Sequence, residues 1–316
     1  MKKLILSAAA CLMLFSCQNE QTESQNDSTN AITQRKCATQ DVLEAQLKAD
    51  PTLAIRMNQI EAFTQNALLT KRLVNGKVEI PVVVNVLYRT AAENISATQI
   101  QSQIDVLNKD FNALNSDYNS VPALFSGVKA NVGITFVLDQ IVRKSTTKTS
   151  WGTADAMKKT SKGGLAPISP TTKLNLWVCT IGGGILGYAQ FPGGASATDG
   201  VAIDSKYFGL SGSANAPYNL GRTATHEVGH WMNLRHIWGD ATCGSDLVSD
   251  TPTHNDANYG VPVYPHYSTC TGTPVEMTMN YMDYTDDNAM YMFSIGQKNR
   301  MSAIFVSGGA RAAFGI

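Results

Sequence analysis

The sequence predicts an α+β fold, and three stretches carry that prediction. Lys77 to Tyr88, KVEIPVVVNVLY, is a β-branched run consistent with a buried strand. Ile100, Ile104, Leu107, Phe111 and Leu114 recur at helical spacing and make one apolar face of a helix laid on a sheet. Thr225 to Asp240, THEVGHWMNLRHIWGD, places His226, Glu227 and His230 on one helical segment, with His236 six residues beyond. At 316 residues and 43% hydrophobic, the chain can pack one large or two modest domains. Its zero formal net charge points to neither a nucleic-acid partner nor an electrostatic membrane surface.

Positions i and i+4 of a helix share a face, so His226 and His230 can close on a single ion. Neutral imidazole binds zinc at roughly 2.0–2.1 Å and leaves a coordination position for water. Glu227, beside the first histidine, can take a proton from water attacking a carbonyl. Three of only five histidines fall in this one short segment, at the spacing of a three-His site.

HEVGHWMNLRH resembles the metzincin signature HExxHxxGxxH, and NYMDY at Asn280 to Tyr284 resembles its methionine turn. LNLWVCTIGGGILGYAQFPGG, HEVGHWMNLRHIWGD and NYMDYTDDNAMYMFSIGQKNRM resemble, in the same order, blocks of the pappalysin family, over about residues 35–306. The resemblance implies a metzincin-like catalytic domain over residues 73–316. It would have a twisted mixed sheet, an active-site helix and a loop-rich C-terminal subdomain, preceded by a small helical pro-segment over residues 31–72. It also implies zinc on His226, His230 and His236, Glu227 as general base and acid, and Met282 packed beneath the ligands. Asn233 occupies the family's glycine position, where the chain must turn sharply, and asparagine is the next most tolerant residue of left-handed backbone.

Taken in order, Lys2 and Lys3 precede the apolar run Leu4 to Phe15, which reads as a signal peptide over residues 1–16. Leu14-Phe15-Ser16-Cys17 resembles a bacterial lipobox, which implies a lipid on Cys17 and an exported chain anchored only by that lipid. Residues 17–30 are a polar tether. From Asp41 to Leu69 the apolar spacing suggests two short helices broken by Pro51. Within Arg35-Lys36-Cys37-Ala38-Thr39, Cys37 resembles the family's pro-region cysteine, with Ala38 in place of a glycine. That implies a thiolate filling the open zinc position of a latent form; a disulfide to Cys179 and a free thiol are the other readings of Cys37. Lys71-Arg72 is a plausible maturation site.

In the catalytic domain, Ser96 and Gln99 read as a capping box for the Ile100–Leu114 helix. Asn131 to Ile141, Leu174 to Cys179 and Gly200 to Asp204 read as strands. Gly182 to Gly184 and Gly193-Gly194 bracket ILGYAQFP, which the resemblance makes the edge strand above the cleft; no Lys-Ser/Thr helix start follows, so phosphate binding is discounted. The histidine helix is expected over Leu220 to Asn233, with Val228 and Met232 toward the core. A last helix is expected over Ser294 to Val306, capped by Ser294, with Ile295, Met301 and Ile304 inward.

Beyond His236 the chain is loop-rich and dense in oxygen ligands, and the resemblance suggests structural calcium at Asp246, Asp250 and Thr251. It also suggests a Cys243–Cys270 disulfide; the family's second bridge is missing, since Asn288-Ala289 stands where its cysteine is expected, and Cys179 is left as a buried thiol. Tyr284 resembles the metzincin tyrosine whose phenol can bind an oxyanion. The loop through Asp286, Asp287 and Asn288 corresponds to the wall of the pocket for the residue after the cut, and a carboxylate there would favour Arg or Lys. The expectation is therefore an exported zinc endopeptidase made as a zymogen, acting on proteins or peptides. A non-catalytic surface binding module has no need of Glu227, and a small-molecule hydrolase sits poorly with a glycine-rich, open rim.

Overall fold

The computed structural model describes residues 34–70 and 78–314. The leader over 1–16, Cys17 with the tether over 17–30, and Lys71-Arg72 lie outside the described residues. Among the described residues two helices come first, α1 (Thr39–Ala49) and α2 (Thr52–Leu69). Pro51 separates them: it cannot donate to the preceding turn, while its φ of −60° suits the start of the next helix. Val42, Leu43, Leu53 and Ala67 are the buried apolar residues of the pair.

A five-stranded sheet follows, in the order β3-β1-β4-β6-β5. Its strands are β1 (Val78–Tyr88), β3 (Ile134–Ser145), β4 (Leu174–Cys179), β5 (Gly187–Ala189) and β6 (Val201–Asp204). The first four in spatial order run parallel, and only β5, at the edge, is antiparallel to its neighbour. A parallel strand covered on both faces needs apolar residues at consecutive positions, and β1 has them. Ile80, Val82, Val84 and Val86 join one core, while Leu87 joins Trp177, Tyr188 and Ala202 in a second core on the opposite face. Asn85, buried in the same strand, donates its Nδ2 to Asn175 Oδ1 on β4 at 3.2 Å.

On the main core face lie α3 (Ala97–Phe111) and α4 (Arg222–Trp231), packed on the sheet and on each other. Ile100, Ile104, Leu107 and Phe111 of α3 meet Ala224, Val228 and Trp231 of α4. The helix stops at Phe111, so Leu114 falls outside the apolar stripe and is exposed. Ser96 does cap α3, but the Gln99 side chain turns away to the Phe208 carbonyl instead of closing the capping box. The strand expected from Asn131 begins at Ile134 instead, because Gly133 takes a left-handed φ of 81°. It then runs on to Ser145 by pairing along the whole of β1.

The C-terminal part has little regular structure beyond α5 (Ile295–Ala303) and a short pairing of β2 (Lys129–Ala130) with β7 (Phe293–Ser294). A full capping box starts α5: Ser294 accepts from Gln297 N, and Gln297 reaches back to Ser294 N. Met301 and Ile304 point inward as expected, whereas Ile295, in the first turn, is 42% exposed.

One contact couples α4 to the C-terminal part. A Cβ placed on Gly229 would sit 2.5 Å from Met282 Sδ, so the helix and the methionine turn meet where only a hydrogen fits. Gly229→Ala should therefore destabilise the protein by about 1–3 kcal/mol. Urea unfolding of the full chain checks this, and an unchanged midpoint would contradict the tight packing.

Candidate metal centre and cleft

His226 and His230 lie one turn apart on α4, and the helix ends almost at once, at Trp231 rather than at Asn233. Asn233 has a φ of 74°, and this left-handed residue reverses the chain. Leu234 N then returns to Gly229 O at 3.0 Å, and His236 is delivered to the other two rings.

The ring nitrogens decide what such a cluster can do. His226 Nδ1 lies 2.7 Å from Tyr281 O, His230 Nδ1 lies 2.8 Å from Leu234 O, and His236 Nδ1 meets the Asp240 carboxylate. Each partner is an acceptor, so each Nδ1 carries the proton and each Nε2 keeps its lone pair. Those lone pairs converge: His230 Nε2 is 3.2 Å from His226 Nε2 and 3.1 Å from His236 Nε2. Burial pushes His226 well below its usual range and His230 down to about 3, which keeps both rings neutral. Three buried lone pairs facing one another need a cation between them, and the spacing suits zinc–nitrogen bonds of roughly 2.0–2.1 Å. The Cys37 sulfur completes the group, all four donor atoms lying within 4.8 Å of one another.

Glu227 faces the same space. Thr39 Oγ1 donates to its Oε2 at 2.8 Å and Cys37 Sγ at 3.4 Å, while burial raises its pKa to about 7. A Cβ on Gly187 would come within 3.1 Å of the Glu227 side chain, so the edge strand and the glutamate are in direct contact. Tyr284 stands on the other side, its ring against His236 and Trp238 and its hydroxyl donating to Cys37 O at 3.2 Å. Met282 lies under α4 at Gly229 and makes no hydrogen bond to the rings; its N–H donates to Asn280 and its carbonyl accepts from Ile237.

The segment before α1 fills the cleft. Leu186 N donates to Lys36 O at 2.9 Å and Ala38 N to Gly187 O at 3.0 Å, so the segment pairs with edge strand β5, and Cys37 bridges Gly187 in parallel. Two residues before Cys37, Arg35 is buried. Its Nη2 meets Asp287 Oδ1 at 2.6 Å, Nη1 donates to Thr223 Oγ1 at 3.1 Å and Nε to Thr285 O at 3.2 Å, with Tyr218 against its guanidinium. The second oxygen of Asp287 accepts from Leu220 N and Arg222 N, at the start of α4. Of the three expected pocket residues, then, only Asp287 meets a cation. Asp286 is half-buried with no ion pair, and Asn288 is exposed.

A profile of the M43 peptidase family, described as pregnancy-associated plasma protein-A, matches residues 178–306. Extracellular metalloprotease 1 of Coccidioides posadasii is 33% identical over 78% of this chain and 84% of its own. The chain belongs to the pappalysin family. An extracellular metalloprotease of Pyricularia oryzae is 34% identical over 84% of this pappalysin and 81% of its own length. Among solved structures, a mutant of Tannerella forsythia promirolysin superposes with a TM-score of 0.82 at 39% identity, covering 89% of this chain and 97% of that one. Mature Tannerella forsythia mirolysin, in complex with a cleaved peptide, gives 0.74 at 42% identity, over 77% of this chain and 97% of that one. The pappalysin is thus a metzincin-like zinc metalloendopeptidase, and the binding-module reading is not favoured.

The remaining residues singled out in the sequence fall away from the cleft. Cys243 and Cys270 are joined in a disulfide, and Cys37 and Cys179 are both free, which removes the Cys37–Cys179 bridge. Asp246 is buried, accepts from Thr251 Oγ1 at 2.9 Å, and is raised to about 7 by burial. Asp250 is occupied with α5, accepting from Ser294 Oγ at 2.6 Å and Gly296 N at 2.7 Å. Sequence reasoning missed Arg35, Thr39 and Asp240. A basic residue two positions from the pro-region cysteine, with aspartates in the pocket loop, was the available signal for Arg35. Asp240 lies four residues after His236, where a carboxylate can orient the ring.

Removing Arg35 would leave Asp287 buried without its cation, a change that costs about 3–5 kcal/mol in buried pairs. In the full chain, Arg35→Ala should speed hydrogen exchange of the amides of Ala38 and Leu186. Unchanged protection there would mean that the pair does not hold the segment in the cleft.

Proposed function

We propose that this pappalysin is a latent endopeptidase in which His226, His230 and His236 hold the catalytic zinc, Cys37 blocks it, and residues 31–72 must leave before substrate enters. The observation that carries this reading is the convergence of three imidazole lone pairs with a thiol from the segment before α1, right beside Glu227. Promirolysin covers more of this chain than mature mirolysin does, 89% against 77%, which supports a pro-segment at the N-terminal side. A cysteine that bridges the edge strand in parallel also suits an inhibitor, since the peptide direction differs from that of an antiparallel strand added by a substrate.

When bound, zinc supplies Lewis acidity to the scissile carbonyl and to a water beside it. Glu227 takes the proton of that water and returns it to the leaving amine. Tyr284 donates to the oxyanion forming on the carbonyl; in the latent form its hydroxyl already donates to a carbonyl, that of Cys37. Edge strand β5 hydrogen-bonds the extended substrate. Arg35 acts as a stand-in for the residue after the cut, so the pocket floored by Asp287 selects Arg or Lys. The same reading includes export with a lipid on Cys17, for which the relatives named extracellular give support as to export. It also includes a structural calcium ion at Asp246, Asp250 and Thr251, in the loop that Asp250 also ties to α5.

Glu227→Ala should keep its zinc, by metal analysis, and lose roughly 10²–10⁴-fold or more in casein hydrolysis. Near-normal turnover would remove Glu227 from the mechanism. Profiling with a peptide library should give Arg and Lys after the cut, and Asp287→Asn should lower kcat/KM for those peptides by about 10–100-fold, as loss of a charged hydrogen bond does. A wild-type preference for Leu or Phe at that position would mean that the Asp287 pocket is not the one used.

A further inference from the structure

The proposed pro-segment meets the catalytic domain at a second charged point. Arg300 of α5 is buried, and its Nε donates to Asn233 O at 2.8 Å. Its two terminal nitrogens grip the carboxylate of Glu61 on α2, Nη1 to Oε1 at 3.0 Å and Nη2 to Oε2 at 2.5 Å. Beside this fork a cavity of about 60 Å³ lies between the pro-segment and the catalytic domain, and its catalytic wall is Phe191, Asn233, Arg235 and Arg300. Asn233 is only 8% exposed, yet its Nδ2 has no hydrogen-bond partner. An unpaired buried donor is costly unless something else satisfies it. Two guanidinium groups and an idle amide therefore share one wall, and the group they face in the latent chain is a carboxylate.

The place of this wall along the cleft follows from the pro-segment. Arg35 lies in the Asp287 pocket, Cys37 at the metal, and the chain then continues into α1, whose Leu43 packs with Phe191. If the residue after the cut enters the Asp287 pocket, as the proposed function has it, the residues before the cut run on the Phe191 side. Removal of the pro-segment takes Glu61 away and leaves Arg300 Nε still bonded to Asn233 O. The pinned Nε keeps the fork aimed at the space the carboxylate left, and a guanidinium fork is matched to carboxylate geometry.

We propose that Arg300, Arg235 and Asn233 form a carboxylate-binding subsite of the mature enzyme, held by Glu61 in the zymogen and taken by an aspartate or glutamate side chain of the substrate before the scissile bond. Asn233 stands where the family resemblance expects glycine, so its amide is a donor that this chain adds to the site. The subsite rests on the proposed substrate direction, and on Glu61 being an occupant rather than only a latch.

The test uses the matured enzyme from the full chain and pairs of peptides that carry Arg after the cut. The members of a pair differ only by Glu or Gln, placed in turn at each of the positions before the cut. At one position Glu should exceed Gln in kcat/KM by about tenfold, mainly through KM, and the ratio should shrink with added salt. Arg300→Gln should bring that ratio close to one, and Asn233→Gly should lower it. Because the ratio is internal to each protein, a general loss of activity cancels. Should Arg300→Gln not fold, the salt dependence and Asn233→Gly carry the test. Equal cutting of Glu and Gln peptides at every position by the wild type, or a ratio that Arg300→Gln leaves unchanged, overturns the subsite alone. No cutting of any peptide with Arg after the cut overturns the Asp287 reading on which it rests.

Discussion

Three imidazole rings are held with their protons turned outward, and most of the site's architecture exists to keep them so. Each Nδ1 has an acceptor from a different part of the chain: a carbonyl of the methionine-turn segment for His226, a carbonyl just after the helix for His230, and Asp240 for His236. Losing any of these would allow the ring to flip or change tautomer, and its lone pair would leave the centre. The requirement reaches far from the metal. Met282 must lie against Gly229 for Tyr281 O to reach His226, and Asn280, bonded to Gln297 of α5 and to Met282 N, sets the turn itself. The sheet carries α4 from the other side, through Val228, Ala224 and Trp231 in the main core.

In the proposed zymogen, latency is built on the same features that catalysis needs. The thiol lies beside the three imidazole lone pairs, Thr39 and Cys37 occupy Glu227, the Tyr284 hydroxyl is bonded to a backbone carbonyl, and the edge strand is already paired. Arg35 and Glu61 then tie the segment to the rest of the chain at two charged points, Asp287 and Arg300. Burying Asp287 at 0% exposure is tolerable only because two backbone N–H groups and a guanidinium surround it. On the proposed reading, such a site is stable with a cation present and costly without one, which would couple recognition of a basic residue to release of the segment.

Much of this was legible in the chain itself. A β-branched run located β1, and apolar spacing located α3 and the two helices either side of Pro51, because burial imposes its pattern on the residues that meet it. The HEVGH spacing put two rings on one helical face, since i and i+4 must coincide there. Less legible was anything settled by distant partners. Gln99 left its capping role for Phe208, Asp250 turned to α5, and Asn288 faced solvent while its neighbour Asp287 took the buried position. Arg35 belongs to this class, because its meaning lies in Asp287, 252 residues away. Local pattern encodes the elements, whereas the polar pairs that join them depend on register and packing, which a single sequence does not display.

In the proposed latent form the Cys37 thiolate is a ligand of the metal. X-ray absorption at the zinc edge reads the ligand shell directly, and sulfur stands apart from nitrogen because its bond is longer, about 2.3 Å against roughly 2.0–2.1 Å. The full-length zymogen should show three nitrogens and one sulfur, and the matured enzyme no sulfur. A zymogen shell of nitrogen and oxygen alone would contradict it.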